Sequence, residues 1–193
     1  MLVLIAVFCG NKSSGAIINP SFEDGPYGDW VVPSGWSIHN SNNFGEGVRS
    51  YWASNGGYCY DFWSFGSQNN TIGSYESIYQ HVDLTGVTKI LFDVKLISYF
   101  RNNPVTFQDY MAAFLIDGTP YWTKVTGGVY LNQSIDVSRL SAGLHTIELR
   151  QECIADESYM PSCWTEWDNL RVVPEPGTVL LLGLGGLFLR KRK

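Results

Sequence analysis

The sequence has no C-x-x-C pair and only three histidines, none of them close in sequence to a cysteine. Protein zinc sites are built from closely spaced Cys and His ligands, so this scarcity argues against a zinc centre. The chain also lacks a Gly-rich phosphate loop, a zincin helix and a nucleophile-elbow serine motif. Because such motifs mark phosphate chemistry and hydrolysis, their absence favours a non-catalytic protein.

Basic side chains are scarce as well. Residues 17–173 hold 17 acidic and 8 basic side chains, which gives that stretch a formal charge of −9. Affinity for nucleic acid rests on Lys and Arg at the phosphates, so no nucleic-acid partner is expected. A neutral ligand, a metal ion or a cationic surface suits the acidic balance better.

The chain has no apolar run of the ~20 residues that a membrane-spanning helix usually needs. Near its C-terminus, the 13 uncharged residues 177–189 are predicted to form a short hydrophobic helix at the inner membrane. The run follows a motif made of Val173, Pro174, Glu175 and Pro176. It ends at a basic cluster that would stay in the cytoplasm, made of Arg190, Lys191, Arg192 and Lys193.

This order of motif, apolar run and basic end resembles the PEP-CTERM sorting signal of bacteria, also known as the ice-binding protein C-terminal motif. The resemblance implies an exosortase-type processing enzyme as partner and a cut near the Pro-Glu-Pro motif. It also implies delivery to the cell surface, outer membrane or extracellular matrix of a bacterium that exports polysaccharide. Residues 174–193 are assigned to this signal, with a plain tail anchor and a buried core helix as alternatives.

The N-terminal end carries a second predicted export signal. Residues 1–8 form an apolar run, and Ser14, Gly15 and Ala16 form a small-residue cleavage site. Residues 1–16 are therefore interpreted as a signal peptide, which makes Ile17 the expected first residue of the mature protein. The body between the two signals, residues 17–173, is expected to be one domain.

Period-two alternation of apolar residues recurs through this body, and no sustained helical periodicity accompanies it. The clearest predicted strands are residues 77–84, 88–98, 110–117 and 144–151, and weaker ones are 48–53, 121–125, 129–137 and 164–173. Eight short antiparallel strands in one domain predict an all-β sandwich, specifically a jelly roll.

Several phrases of the body resemble galactose-binding-like β-sandwiches, a group that includes many carbohydrate-binding modules. They are residues 19–25 (NPSFEDG), 35–36 (GW), 78–84 (IYQHVDL) and 167–172 (WDNLRV). The resemblance implies that the first and last strands meet and hold a structural calcium ion, with ligands from Asn19, Glu23, Asp24 and Asp168. Calcium prefers such oxygen ligands. The alternative is that Glu23 and Asp168 cap turns and pair with cations such as Arg171.

Three cysteines remain in the body. Cys153 and Cys163 flank a polar, acidic segment that is typical of a loop, and an oxidising compartment would allow a disulfide between them. Cys59 is then expected to be a buried free thiol.

Aromatic residues crowd into positions 51–65. Aromatic faces stack on the apolar faces of sugars, so Tyr58, Tyr60 and Trp63 are candidates for ligand stacking. Alternation at Tyr58 and Tyr60 equally suits a core strand, and Trp30 and Trp36 are expected in the core. The three histidines are expected to be structural or surface residues.

The sequence therefore predicts an exported, surface-sorted and non-catalytic protein, either a carbohydrate-binding module or a matrix module. One alternative is a structural matrix or adhesion component without glycan affinity. Another is a glycoside hydrolase or lyase, because a pair of catalytic carboxylates cannot be recognised from sequence alone.

Overall fold

The computed structural model describes residues 15–41, 45–64, 72–99, 110–155 and 162–176. Within these ranges every regular element is a β-strand. The strands are β1 (Gly28–Asp29), β2 (Ser37–Ser41), β3 (Gly45–Arg49), β4 (Cys59–Ser64), β5 (Tyr75–Asp83), β6 (Val87–Tyr99), β7 (Tyr110–Ile116), β8 (Thr119–Lys124), β9 (Gly128–Asp136), β10 (Leu144–Cys153) and β11 (Ser162–Pro174).

The strands form two antiparallel sheets that pack into a sandwich. The six-stranded sheet has the order β1-β3-β4-β11-β6-β9, and the five-stranded sheet has the order β2-β5-β10-β7-β8. The predicted all-β sandwich is confirmed. The hydrophobic helix predicted over residues 177–189 lies outside the described residues, and no described helix is long and apolar enough to cross a membrane.

Alternation along the strands builds the core between the sheets. In β5 the side chains of Ile78 and Val82 point inward and are almost fully buried. Phe92 of β6 lies at the centre, with its ring centroid 5.1 Å from that of Phe114 and 5.5 Å from that of Trp167. Burial of each such side chain contributes roughly 1.5–3 kcal/mol, so this aromatic cluster is a main source of stability.

All eight predicted strands are present, with ends that differ by a few residues. The sequence analysis missed β1, β2 and β4. Alternation at Tyr58 and Tyr60 suggested a core strand in the region of β4, but no strand bounds were predicted there. The prediction for Trp36 is confirmed, since it is 5% exposed, but the one for Trp30 is wrong, since its side chain is 61% exposed beside β3.

The segment around Pro20 lies beside β11 as the resemblance implied, but the first and last strands do not pair with each other, because β1 pairs with β3. The Leu170 N–H of β11 donates a hydrogen bond to the Pro20 carbonyl at 2.9 Å. β11 continues to Pro174, one residue beyond the predicted end of the body, and pairs there with Val87. At the other end, the Gly15 N–H donates to the Asp83 carbonyl at 2.9 Å.

Candidate functional site

The outer side of the five-stranded sheet carries a surface that we call the tyrosine–histidine face. Because Ile78, Gln80 and Val82 of β5 point into the core, the alternate residues of that strand point outward. Antiparallel pairing places β2 on one side of β5 and β10 on the other. The face consists of His39 from β2, Tyr75, Tyr79 and His81 from β5, and Glu148 and Arg150 from β10.

The rings on this face contact one another edge to face. The His39 ring centroid lies 6.1 Å from that of Tyr75 and 5.9 Å from that of Tyr79. Tyr79 in turn lies 5.4 Å from His81. Such tilted contacts hold rings in place while leaving part of each surface open to solvent. Both tyrosines are half-buried and both histidines are exposed, so the face is ordered and accessible.

Glu148 of β10 lies directly across from Tyr79 of β5 and contacts both Arg150 and His39. Its Oε1 accepts hydrogen bonds from Arg150 Nη2 at 2.8 Å and Arg150 Nε at 3.0 Å. Its Oε2 lies 3.4 Å from His39 Nδ1. The Arg150 guanidinium carbon also lies 3.9 Å from the Tyr75 ring centroid, a cation–π distance. The carboxylate thereby fixes both the arginine and the histidine beside the rings.

A second cluster of polar groups closes one end of the face. His81 Nδ1 lies 3.0 Å from Thr146 Oγ1. Asp117 accepts from the Thr146 N–H at 2.9 Å and contacts His145 Nδ1 at 2.6 Å. The Thr146 amide, and then His145, hold the pKa of Asp117 below its ordinary value. Hydrogen bonds with Asp117 and with the Ser141 carbonyl raise the pKa of the buried His145.

Part of this surface borders an open groove of about 490 Å³, which is large enough for a small saccharide. The groove is lined by Ile38, His39, Tyr79, His81, Asp117, Gly118, Thr146 and Glu148. The groove combines ring faces with carboxylate, imidazole and hydroxyl groups. Ring faces can stack on the C–H face of a sugar, and the polar groups can donate and accept hydrogen bonds with its hydroxyls.

The predicted stacking residues do not form this face. For Tyr60 the core alternative holds: its side chain is 0% exposed and packs against Phe22, with ring centroids 5.6 Å apart. Tyr58 is half-buried and stacks on Tyr27 at 3.9 Å. Trp63 is 4% exposed and lies on the outer side of the other sheet. The three residues therefore do not make a common platform.

Two of the predicted calcium ligands, Glu23 and Asp168, hold the same loop, residues 54–58. Glu23 Oε1 accepts from the N–H groups of Gly57 and Tyr58, both at 2.8 Å. Asp168 Oδ2 accepts from the N–H groups of Ser54 at 2.6 Å and Asn55 at 2.8 Å.

The other two predicted ligands contact each other instead. Asn19 Oδ1 accepts from the Asp24 N–H at 3.0 Å, and Asn19 Nδ2 donates to the Asp24 carbonyl at 2.9 Å. Among the residues that the structure describes, no three His, Cys, Asp or Glu side chains are grouped to hold a metal ion. The calcium ion with ligands from these four residues therefore stays a prediction.

The cysteines of the body are all buried. Cys59 is 0% exposed, as expected for a buried thiol. Cys153 lies in β10 and Cys163 in β11, on the facing sides of the two sheets, and Cys153 Sγ contacts the Ala155 carbonyl at 3.2 Å. The structure shows no disulfide bond within the described ranges, so the predicted Cys153–Cys163 bridge stays a prediction.

Sequence reasoning did not identify the tyrosine–histidine face, although one signal for it was present. Tyr79 and His81 lie two residues apart in the strand predicted over residues 77–84, so they had to share one of its faces, whereas Tyr75 lies before the predicted start of that strand. His39 and Glu148 carried no comparable signal. They are 109 positions apart, and only strand pairing brings them together.

Comparison with known proteins identifies the C-terminal segment. Residues 172–193 match the PEP-CTERM protein-sorting motif. This confirms the interpretation of the tail, and the motif implies a secreted, cell-surface-directed protein that is processed by an exosortase. No curated protein sequence matches the chain.

The body is similar to solved β-sandwiches at low sequence identity. A carbohydrate-binding module specific for non-crystalline cellulose, CBM28, has a TM-score of 0.53 and 13% identity, over 81% of this chain and 93% of that one. The K2 cleaved adhesin domain of Lys-gingipain has a TM-score of 0.47 and 13% identity, over 80% and 96%. The xylan-binding domain CBM22-1 of Paenibacillus barcinonensis Xyn10C has a TM-score of 0.42 and 14% identity, over 80% and 92%. The chain thus carries a PEP-CTERM sorting motif behind a β-sandwich that resembles carbohydrate-binding modules.

Proposed function

We propose that this protein is a surface-sorted, non-catalytic module that binds polysaccharide on its tyrosine–histidine face. One observation carries the proposal: His39 contacts both Tyr75 and Tyr79 on an open sheet face, and Glu148 and Arg150 form a fixed polar pair beside them. An ordered aromatic surface next to ordered hydrogen-bonding groups is what a sugar ring requires.

The order of this face favours binding in physical terms. Immobilising a long side chain on association costs about 0.5–1.5 kcal/mol, and Arg150 is already held by Glu148 and Tyr75 before any ligand arrives. A saccharide would replace water on the two half-buried tyrosines without reordering them. The fold of the similar carbohydrate-binding module and the sorting tail both support a role at the cell surface.

The test is native gel electrophoresis of the purified protein in gels that contain hydroxyethylcellulose, xylan, mixed-linkage β-glucan or dextran. We expect at least one polysaccharide to retard the protein. The Tyr79→Ala variant should bind that polysaccharide about tenfold more weakly, because a stacking ring is lost. Thermal melting checks that the variant is folded.

A matched control is Tyr121→Ala. It removes a 41% exposed tyrosine that lies on β8 and does not line the groove of the tyrosine–histidine face. Its affinity should equal that of the unaltered protein. If Tyr79→Ala binds as tightly as Tyr121→Ala, the tyrosine–histidine face is not the binding site. If no polysaccharide retards the protein, and it self-associates in sedimentation experiments instead, a structural matrix role replaces the proposal.

A further inference from the structure

The outer side of the six-stranded sheet carries a second groove, which we call the tryptophan groove. Strand pairing places Trp63 of β4, Trp164 of β11 and Ile97 of β6 in one row across three strands. The groove has a volume of about 400 Å³ and is bordered by this row, Tyr51, Lys95 and Glu166. Tyr51 is 68% exposed at its rim.

The polar groups of the groove form a parallel row. Glu166 of β11 pairs across the sheet with Lys95, which also lines the groove, and on its other side with Asp61, which is fully buried. Because each residue advances a strand by about 3.4 Å, this charged row lies roughly 7 Å from the row of rings. An apolar stripe beside a polar stripe matches the two sides of a sugar ring, with its C–H face and its hydroxyl edge.

An arginine holds the rim of the groove in place. The Arg49 guanidinium carbon lies 3.9 Å from the Trp63 ring centroid and 5.2 Å from that of Tyr51. Arg49 Nη1 donates to Tyr51 Oη at 3.0 Å, and Arg49 Nη2 lies 2.6 Å from Asp29 Oδ1. The exposed tyrosine is therefore attached to an arginine that is itself clamped between a carboxylate and a ring.

Each cation in the groove is matched by an acid. Lys95 Nζ lies 2.9 Å from Glu166 Oε2, and Arg49 is bound to Asp29. The groove thus presents neither the surplus of cations that a polyanion needs nor the surplus of anions that a polycation needs. An uncharged, hydroxyl-rich ligand fits this balance best.

We propose that the tryptophan groove is a second saccharide-binding site, for an uncharged polysaccharide segment, on the side of the domain opposite the tyrosine–histidine face. This inference rests on the proposed function, because it assigns the same ligand class to a separate surface. Two sheets that pack about 10 Å apart face in opposite directions, so the two sites would take two different chain segments. One domain would then cross-link polysaccharide.

The experiment compares the full-length protein with Tyr79→Ala, Trp164→Ala, Tyr51→Ala and the double variant Tyr79→Ala/Trp164→Ala. Affinity is measured in the same polysaccharide gels. Cross-linking is measured as the viscosity of a solution of hydroxyethylcellulose, or of whichever polysaccharide retards the protein, after the protein is added. Tyr51→Ala is included because Trp164→Ala could fail to fold, whereas replacing the exposed Tyr51 should leave the fold intact. Tyr121→Ala is again the control.

We expect Trp164→Ala and Tyr51→Ala each to weaken retention severalfold, and the double variant to lose retention. The unaltered protein should raise the viscosity, and variants that keep only one site should not. Suppose that Trp164→Ala and Tyr51→Ala bind with full affinity and still raise the viscosity of the polysaccharide solution, while Tyr79→Ala does neither. The second site is then refuted and the proposed function stands. If Tyr79→Ala has no effect and the groove variants abolish binding, the groove is supported and the first site is refuted. Failure of every polysaccharide to bind would refute both.

Discussion

At the scale of single residues, the most unusual group is Glu46, an acid that points into the core. Its side chain is 2% exposed, and its Oε2 has no hydrogen-bond partner among the described residues. Burial raises its pKa from 4.5 to about 7. Its neighbour Tyr60 is also buried, and burial followed by the nearby Glu46 carboxylate raises the pKa of that phenol. The folded protein therefore prefers Glu46 protonated.

This preference predicts a pH-dependent stability. The folded state keeps the Glu46 proton up to about pH 7, whereas the unfolded state releases it near pH 4.5. The contribution of Glu46 to the free energy of unfolding is therefore at its maximum below pH 4.5. It is lost as the pH rises to 7, and the loss is about 3 kcal/mol. Urea unfolding from pH 4.5 to 7.5 should show this loss in the unaltered protein relative to Glu46→Gln. Parallel stability curves for the two proteins would contradict the prediction.

Asp168 differs from Glu46 because protein donors satisfy its carboxylate, although burial raises the pKa of Asp168 as well. It accepts from three backbone N–H groups, those of Ser54, Asn55 and Asn169. Asp168→Ala should lower the free energy of unfolding by about 3 kcal/mol, because hydrogen bonds to a charged group are lost and donors are left unsatisfied. The control is Asp24→Ala at an exposed site, which should change stability by less than about 0.5 kcal/mol. Equal effects in denaturant titrations would refute the role of Asp168.

The predicted calcium ion is tested on the same two variants. If Asn19, Glu23, Asp24 and Asp168 hold calcium, adding calcium to chelator-treated protein should raise its melting temperature, since binding to the folded state alone stabilises it. Both Asp24→Ala and Asp168→Ala should reduce that rise, and magnesium should not reproduce it. An unchanged melting temperature would leave the hydrogen bonds to loop 54–58 as the role of Glu23 and Asp168.

At the scale of elements, the six-stranded sheet depends on a close approach between β1 and β3. Gly47 pairs with Asp29, and a Cβ atom at Gly47 would lie 2.2 Å from the Gly28 carbonyl oxygen. Gly47→Ala should therefore displace β1 and lower the free energy of unfolding by about 1–3 kcal/mol. It should also weaken the contact of Asp29 with Arg49, which holds the rim of the tryptophan groove.

Gly57→Ala is the matched control for this substitution. The nearest atom to a Cβ there is Glu23 Oε2 at 3.9 Å, an ordinary van der Waals distance. Its stability should stay within about 0.5 kcal/mol of the unaltered protein. Both variants are compared by denaturant unfolding, and a Gly47→Ala protein as stable as the Gly57→Ala protein would show that β1 can move without cost.

At the scale of the whole molecule, the sorting motif begins inside the folded domain. Pro174 is the last residue of β11 and pairs with Val87, and the Glu175 N–H donates to the Gly86 carbonyl at 2.8 Å. Glu175 and Pro176 are exposed, whereas Val173 accepts a hydrogen bond from Thr88 at 3.1 Å. A protease that needs an extended substrate can reach the motif only from its exposed end.

Processing is therefore expected to leave a C-terminus at or beyond Glu175. The measurement is the intact mass of protein recovered from the cell surface and medium, with a strain that lacks the exosortase as control. A C-terminus before Glu175 would mean that the chain is cut within β11 or directly after it, which contradicts the structural argument. A mass that still includes Lys193 in the normal strain would contradict processing itself.

Much of the fold was predictable because its signals are local. Alternation along residues 88–98 and 144–151 located β6 and β10 and their buried faces, since neighbouring side chains of a strand point to opposite sides. The outward face of β4 carries Asp61 and Trp63, and both are buried. The strand therefore lacks the polar, exposed face that alternation predicts, and its bounds were missed. The burial of Asp61 comes from Arg49 and Trp63 above it, which local sequence does not show.

By itself the sequence determined the sandwich class, the inward faces of the main strands and the sorting tail, because alternation and motif order are properties of contiguous residues. Only the tertiary structure decided that His39 and Glu148 meet beside Tyr79, and that Tyr60 lies in the core while Tyr51 lies at a rim. The reason is strand register: which outward side chains become neighbours depends on pairing between segments far apart in the chain, and each pairing is set by the packing of the opposite, buried face.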